Sequence, residues 1–153
     1  MAGPAPYDRH MGDTPQRDAT EAHAAWPATL RQACGLLLLP ALLAISWLAL
    51  MPAPPPQADT GWDKTNHLLA FATLTLLAEG AFGPAWRARA GSAAGLLAYG
   101  ALIELVQSQL PPRCGEWADL LADALGIVAG LGLATVGFGL RSCARRRRAS
   151  RSR

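Results

Sequence analysis

Apolar residues fill four long stretches of the chain, and polar or proline-rich segments separate them. The stretches cover residues 33–52, 64–85, 90–110 and 117–140. Each has the roughly 20 residues that an α-helix needs to cross about 30 Å of hydrocarbon. The first contains no charged residue and ends before the proline run Pro54 to Pro56, which cannot continue a helix. The pattern predicts an all-α integral membrane bundle of four transmembrane helices.

The composition supports a membrane protein with a polar tail at each end. Charged residues make up 16% of the chain and hydrophobic residues 51%, whereas soluble domains carry roughly 25% charged residues. Residues 1–29 have no apolar periodicity and predict a flexible cytoplasmic tail. Residues 141–153 form a basic tail that we expect to contact anionic lipid at the cytoplasmic surface. Nucleic-acid binding, the other common role of a basic run, is not expected after so apolar a helix.

The distribution of basic residues predicts the orientation. Arg31 precedes the first stretch, Arg87 and Arg89 lie between the second and third, and the arginine run follows the fourth. Only Lys64 and Arg113 fall on the other side. Because basic residues near span ends are retained in the cytoplasm, both termini are predicted to be cytoplasmic.

Polar side chains from three segments fall at the outer end of this topology. With a helical rise of about 1.5 Å per residue, they lie within roughly 10 Å of the outer helix ends. Such residues are costly in a membrane and usually face one another or a water-filled cavity. They predict an outward-facing polar pocket. Its expected members are Asp63, Lys64, His67, Glu104, Gln107, Arg113, Asp119 and Asp123.

Two structural explanations of these residues remain open. The outermost side chains can simply lie at the interface with water, and the deeper ones can form hydrogen bonds that hold the helices together. Neither explains why acids outnumber bases in the group. A bound cation, a protonated carboxyl group or a cationic ligand group would balance the charge.

Helix packing is expected to direct the acids inward. Asp119, Asp123, Gly126 and Gly130 fall on one face of the fourth helix. The two glycines form a GxxxG motif, which allows helix backbones to approach closely. This face is therefore predicted to pack against the rest of the bundle.

Glu79 lies apart from these residues, near the cytoplasmic end of the second stretch. An acid at that depth either reaches the interface or pairs with a nearby cation. Arg87 and Arg89 are the candidate partners for such a pair, and the sequence does not choose between pairing and exposure at the interface.

Three short motifs contain most of the outer polar residues. They read DKTNH at Asp63 to His67, ELVQ at Glu104 to Gln107, and R-x5-D-x3-D-x2-G-x3-G from Arg113 to Gly130. Together they resemble the VanZ-like membrane protein family over about half of the chain. The family pattern usually has Asn where this chain has Asp123. The resemblance implies a multi-pass protein of the bacterial plasma membrane, in a family named after a protein associated with low-level teicoplanin resistance.

Two kinds of function are compatible with these residues. In the first, the pocket binds an envelope lipid or a glycopeptide-related group, with Lys64 and Arg113 holding an anionic head group. In the second, the protein is a membrane-embedded hydrolase or transferase that depends on a metal or on acid/base chemistry, with His67, Glu104 and Asp123 as candidates. The sequence contains no HExxH or GxSxG motif. We therefore favour binding over catalysis and assign no catalytic residue. No cofactor is predicted, but the sequence is compatible with a bound cation.

Overall fold

The computed structural model describes residues 26–52, 62–110 and 116–151, without the side chains of residues 145, 146 and 149. These ranges contain four α-helices and no strand, which confirms the all-α prediction. The predicted N-terminal tail up to residue 25 and the predicted site residue Arg113 lie outside them. The helices are α1 (Ala28–Leu50), α2 (Asp63–Phe82), α3 (Trp86–Gln107) and α4 (Trp117–Arg151).

The helices extend beyond the apolar stretches at their basic ends. α1 begins at Ala28 rather than near residue 33, so Arg31 lies in its first turn. α3 begins at Trp86 rather than near residue 90 and includes Arg89. α4 continues through the arginine run to Arg151 instead of ending near residue 140. Arginine is a good helix former, so a helix can continue into a basic segment. Apolar content predicts the part of a helix that lies in lipid and not its full length.

Among the described residues, three helical segments are long and apolar enough to cross a membrane. They are Ala28–Leu50, Trp86–Gln107 and Trp117–Ala144. α2 does not reach the same apolar content. It contacts each of the other three helices and provides Phe71 and Leu74, two of the most buried core side chains. A helix that packs against three others exposes less of its surface to lipid than one at the edge of a bundle, and so needs fewer apolar residues.

Successive helices run antiparallel, as contacts at the two ends of the bundle show. At one end, the Trp26 ring packs edge-on against Phe138 of α4 at 4.9 Å, and Arg89 contacts Glu79 near the end of α2. We call this the basic end. At the other end, Gln107 donates a hydrogen bond to a carbonyl in the last turn of α1. We call this the acidic end, because it holds most of the polar residues described below.

The outer surface of α1 is apolar. The helix has no fully buried residue, and its exposed side chains are mainly large and hydrophobic. Apolar side chains facing outward along a whole helix are expected where the surroundings are lipid. The exposed residues include Leu36, Leu37, Leu39, Leu43 and Trp47.

α2 and α4 approach most closely at the GxxxG motif. A Cβ atom at Gly126 would collide with the Leu68 carbonyl oxygen of α2. A Cβ atom at Gly130 would lie 2.9 Å from the Ala72 carbonyl oxygen and 2.7 Å from Thr75 Cβ. Because the opposing atoms are backbone atoms or lie within two bonds of the backbone, a side chain at either glycine would force the two helices apart.

Gly126→Ala is therefore expected to lower the free energy of unfolding by about 1–3 kcal/mol, the usual cost of overpacking. Gly91 and Gly95 provide a control with the same motif, since a Cβ atom at either would meet nothing described within 4 Å. Alanine there should be neutral or stabilise α3 through its higher helix propensity. Unfolding in detergent micelles measures both, and equal losses at the two motifs would refute the packing argument.

Candidate functional site

His67 lies where α2, α3 and α4 meet at the acidic end. Its Nδ1 atom is 2.9 Å from Oδ1 of Asp123 on α4, and its Nε2 atom is 3.8 Å from Oε1 of Glu104 on α3. The His67 side chain is 8% exposed and that of Asp123 is fully buried. A carboxylate accepts hydrogen bonds, so we assign the imidazole proton to Nδ1. The Nε2 lone pair is then directed toward the Glu104 side.

Asp123 is accommodated by a glycine on the neighbouring helix. A Cβ atom at Gly100 of α3 would collide with Asp123 Oδ2. That oxygen receives no hydrogen bond from any part of the chain that the structure describes. The packing of α3 against α4 therefore encloses a carboxyl group whose one described hydrogen-bond partner is His67.

Glu104 connects α3 to the start of α4. Its Oε2 atom accepts a hydrogen bond of 2.9 Å from the backbone N–H of Glu116. Its Oε1 atom is buried and receives no hydrogen bond within residues 26–52, 62–110 and 116–151. Glu104 thus presents one free acceptor to the side of the imidazole that carries Nε2.

Lys64 is held by acids of the site itself. Its Nζ atom donates a hydrogen bond of 2.9 Å to Oε2 of Glu116 and lies 3.6 Å from Oδ1 of Asp119. Sequence reasoning missed Glu116. The position of Glu116 directly before Trp117 could have indicated it, because the helix dipole favours an acid just before the start of a helix.

Asp63, His67 and Asp119 converge on one small region. One potential ligand atom from each lies within 4.8 Å of the other two. Asp63 is exposed, while Asp119 is 3% exposed. The region therefore has an open side at the first turn of α2 and a buried side at α4. We refer to Asp63, Lys64, His67, Glu104, Glu116, Asp119 and Asp123 as the acidic cluster.

Gln107 was expected in the same pocket, but its amide takes part in a different contact. It is 4% exposed, and Nε2 donates a hydrogen bond of 2.9 Å to the Ala49 carbonyl oxygen. The side chain therefore joins α3 to α1.

An apolar pocket of about 400 Å³ opens beside the acidic cluster, between α3 and α4. Glu104 and Glu116 belong both to its lining and to the cluster, so its polar end adjoins the cluster. This combination of an apolar wall and a polar end suits an amphiphilic molecule. The lining residues are Ala101, Glu104, Leu105, Ser108, Glu116, Trp117 and Leu120.

No family model, curated protein or solved structure matches this chain. The described residues form a helical protein with three segments apolar enough to cross a membrane and a histidine–carboxylate cluster at one end of the bundle.

Proposed function

We propose that this chain is a multi-pass membrane protein of the VanZ-like type that binds the polar part of an envelope lipid or a glycopeptide-related molecule. The observation that carries the proposal is the position of Glu104. Its free Oε1 atom faces His67, and its side chain also lines the apolar pocket. A ligand with its apolar part in that pocket would reach the acidic cluster with its polar part. A link to teicoplanin resistance belongs to this proposal and rests on the motif resemblance alone.

The proposal includes four membrane spans with both termini in the cytoplasm of a bacterial cell. It is supported by the antiparallel helices, by the enclosed position of α2 and by the arginines at the basic end. Arg89 lies near the start of α3, and Arg141 lies in the last third of α4. Basic residues of this kind remain on the cytoplasmic side and contact anionic lipid. The acidic cluster then opens away from the cytoplasm.

The cluster favours a ligand that donates hydrogen bonds. Lys64, which the sequence suggested as a partner for an anionic head group, is already bound by Glu116 and Asp119. Within the described part of the acidic cluster, the buried side-chain atoms that lack a hydrogen bond are carboxylate oxygens, which only accept hydrogen bonds when ionised. Hydroxyl or amine groups of a glycan or a lipid head group match these acceptors.

A hydrolase or transferase is the second candidate, and the His67–Asp123 pair favours it. An aspartate that accepts the Nδ1 proton holds an imidazole so that Nε2 can act as a general base. The pocket also contains Ser108, but its hydroxyl donates a hydrogen bond to the Leu105 carbonyl oxygen. Because no described hydroxyl is hydrogen-bonded to His67, we favour binding over catalysis.

Mass spectrometry of co-purified lipids tests the binding proposal. We expect one class of amphiphile to be enriched over bulk membrane lipid, and Glu104→Ala to reduce that enrichment at least about tenfold, because a hydrogen bond to a charged group is lost. The variant should still accumulate in the membrane. Leu102→Ala is the matched control on α3, because Leu102 is 57% exposed and lies outside the pocket lining.

Two results would contradict the proposal. If Glu104→Ala enriched the lipid as strongly as the unmodified protein, Glu104 would not be part of the binding site. Failure of this variant to accumulate would show that Glu104 mainly holds α3 and α4 together, through its hydrogen bond to Glu116.

A further inference from the structure

The spacing of three side chains at the acidic end is close to that of a metal site. The potential ligand atoms of Asp63, His67 and Asp119 lie within 4.8 Å of one another. Ligands about 2.0–2.2 Å from one zinc ion in tetrahedral geometry are roughly 3.3–3.6 Å apart. Metal binding would therefore draw the three atoms together by up to about 1.5 Å, and Asp63 is exposed and can move.

The buried member of the group supplies independent support. Asp119 is 3% exposed, yet its Oδ1 atom receives no hydrogen bond from residues in the described ranges. Lys64 Nζ, 3.6 Å away, forms an ion pair with this oxygen but donates its described hydrogen bond to Glu116. The Oδ1 atom therefore keeps its acceptor capacity for a second cation.

His67 has the orientation of a metal ligand. Asp123 accepts a hydrogen bond from Nδ1, which leaves the lone pair of Nε2 free. A carboxylate bound to the far side of an imidazole is the usual support of a histidine that binds a metal, because it fixes the tautomer and ring orientation. Glu104 Oε1 lies 3.8 Å from Nε2.

We propose that Asp63, His67 and Asp119 bind one divalent transition-metal ion of the zinc type, with Asp123 as the positioning residue of His67. A donor set of one imidazole and carboxylates suits zinc or manganese, whereas magnesium and calcium prefer oxygen ligands alone. Two positive charges would also offset the excess of acids in the cluster. The proposal goes beyond binding of an envelope molecule and does not depend on it.

Zinc loading of the full chain tests this assignment. The protein, purified in detergent without a histidine tag, is stripped with a chelator, loaded with Zn²⁺, desalted and assayed for metal content, and its affinity is titrated calorimetrically. We expect one zinc ion per chain. His67→Ala and Asp119→Asn should each weaken the affinity more than about tenfold, and Asp123→Asn about 10- to 100-fold, the range for supporting residues.

The controls separate this site from other donors in the chain. Of the three histidines, His10 and His23 lie in the N-terminal segment, so the His10→Ala/His23→Ala variant should keep its zinc. Cobalt substitution should give a spectrum without thiolate charge-transfer bands, because no cysteine is a proposed ligand. Asp119→Asn preserves side-chain size and keeps the test valid if His67→Ala does not fold.

Retention of zinc in both Asp119→Asn and His67→Ala would overturn the proposal, as would thiolate bands or binding of magnesium in preference to zinc. Lipid enrichment and zinc content are measured on the same preparations. Absence of an enriched lipid from the wild-type protein, with zinc retained, would therefore count against the proposed function alone. Absence of stoichiometric zinc with the lipid retained would count against the metal site alone.

Discussion

His67→Ala is expected to lower the free energy of unfolding of the metal-free protein by about 3 kcal/mol. The substitution would leave the fully buried Asp123 carboxyl group without a hydrogen-bond donor from the described chain at either oxygen. Leaving a buried acceptor unsatisfied costs about 1–3 kcal/mol, and more when the group is charged, whereas an average hydrogen bond between membrane helices contributes about 0.6 kcal/mol. Reversible unfolding in mixed micelles, with chelator present, measures the difference.

Asp123→Asn and a double-mutant cycle identify the origin of that loss. The asparagine amide oxygen can still accept the His67 Nδ1 proton, so this variant should lose only about 1 kcal/mol. In the cycle, His67→Ala combined with Asp123→Ala should be less destabilising than the sum of the single variants by about 1.5–3 kcal/mol, because the double variant leaves no unpaired acid. Additive losses would show that the two side chains act independently.

The helices could be located from the sequence because each apolar stretch is long, but their ends could not. The apolar residues end where a helix leaves lipid, but the helix itself continues as long as its residues favour helical structure. α4 therefore runs on to Arg151. Likewise, the sequence does not give the rotation of α3 against α2, on which the positions of Arg87 and Arg89 depend. Sequence alone left both as partners for Glu79, and the structure shows Arg89 in that contact.

In the acidic cluster, helical spacing predicts which residues of one helix lie on the same face. It does not predict which residues of different helices contact one another. The separation of four residues placed Asp63 and His67 on the same face of α2, and their potential ligand atoms lie close together. The rotation of α3 depends on packing against α1 and α4, so the contact of Gln107 with α1 had no signal in the pattern. Glu116 lies just before a helix, where periodicity does not apply.

Arg89→Ala is expected to have the largest effect on stability, a loss of about 3–5 kcal/mol. Its Nε atom donates a hydrogen bond of 2.9 Å to Glu79 Oε2, and Nη1 donates one of 3.1 Å to Thr135 on α4. The Glu79 side chain is 2% exposed. Without Arg89, a buried acid would lose its cation, and α2, α3 and α4 would lose a shared contact at the basic end. Unfolding in mixed micelles measures the loss.

Arg87→Ala is the matched control, because Arg87 belongs to the same turn of α3 but is exposed. Its guanidinium lies 5.6 Å from the Trp86 ring centroid, and an exposed contact of that kind contributes less than about 1 kcal/mol. Glu79→Gln should recover part of the loss in the Arg89→Ala background, because it removes the unpaired charge while preserving side-chain size. If Arg87→Ala proved as destabilising as Arg89→Ala, the loss of positive charge at the basic end would explain both results. The buried Arg89–Glu79 pair would then not be the cause.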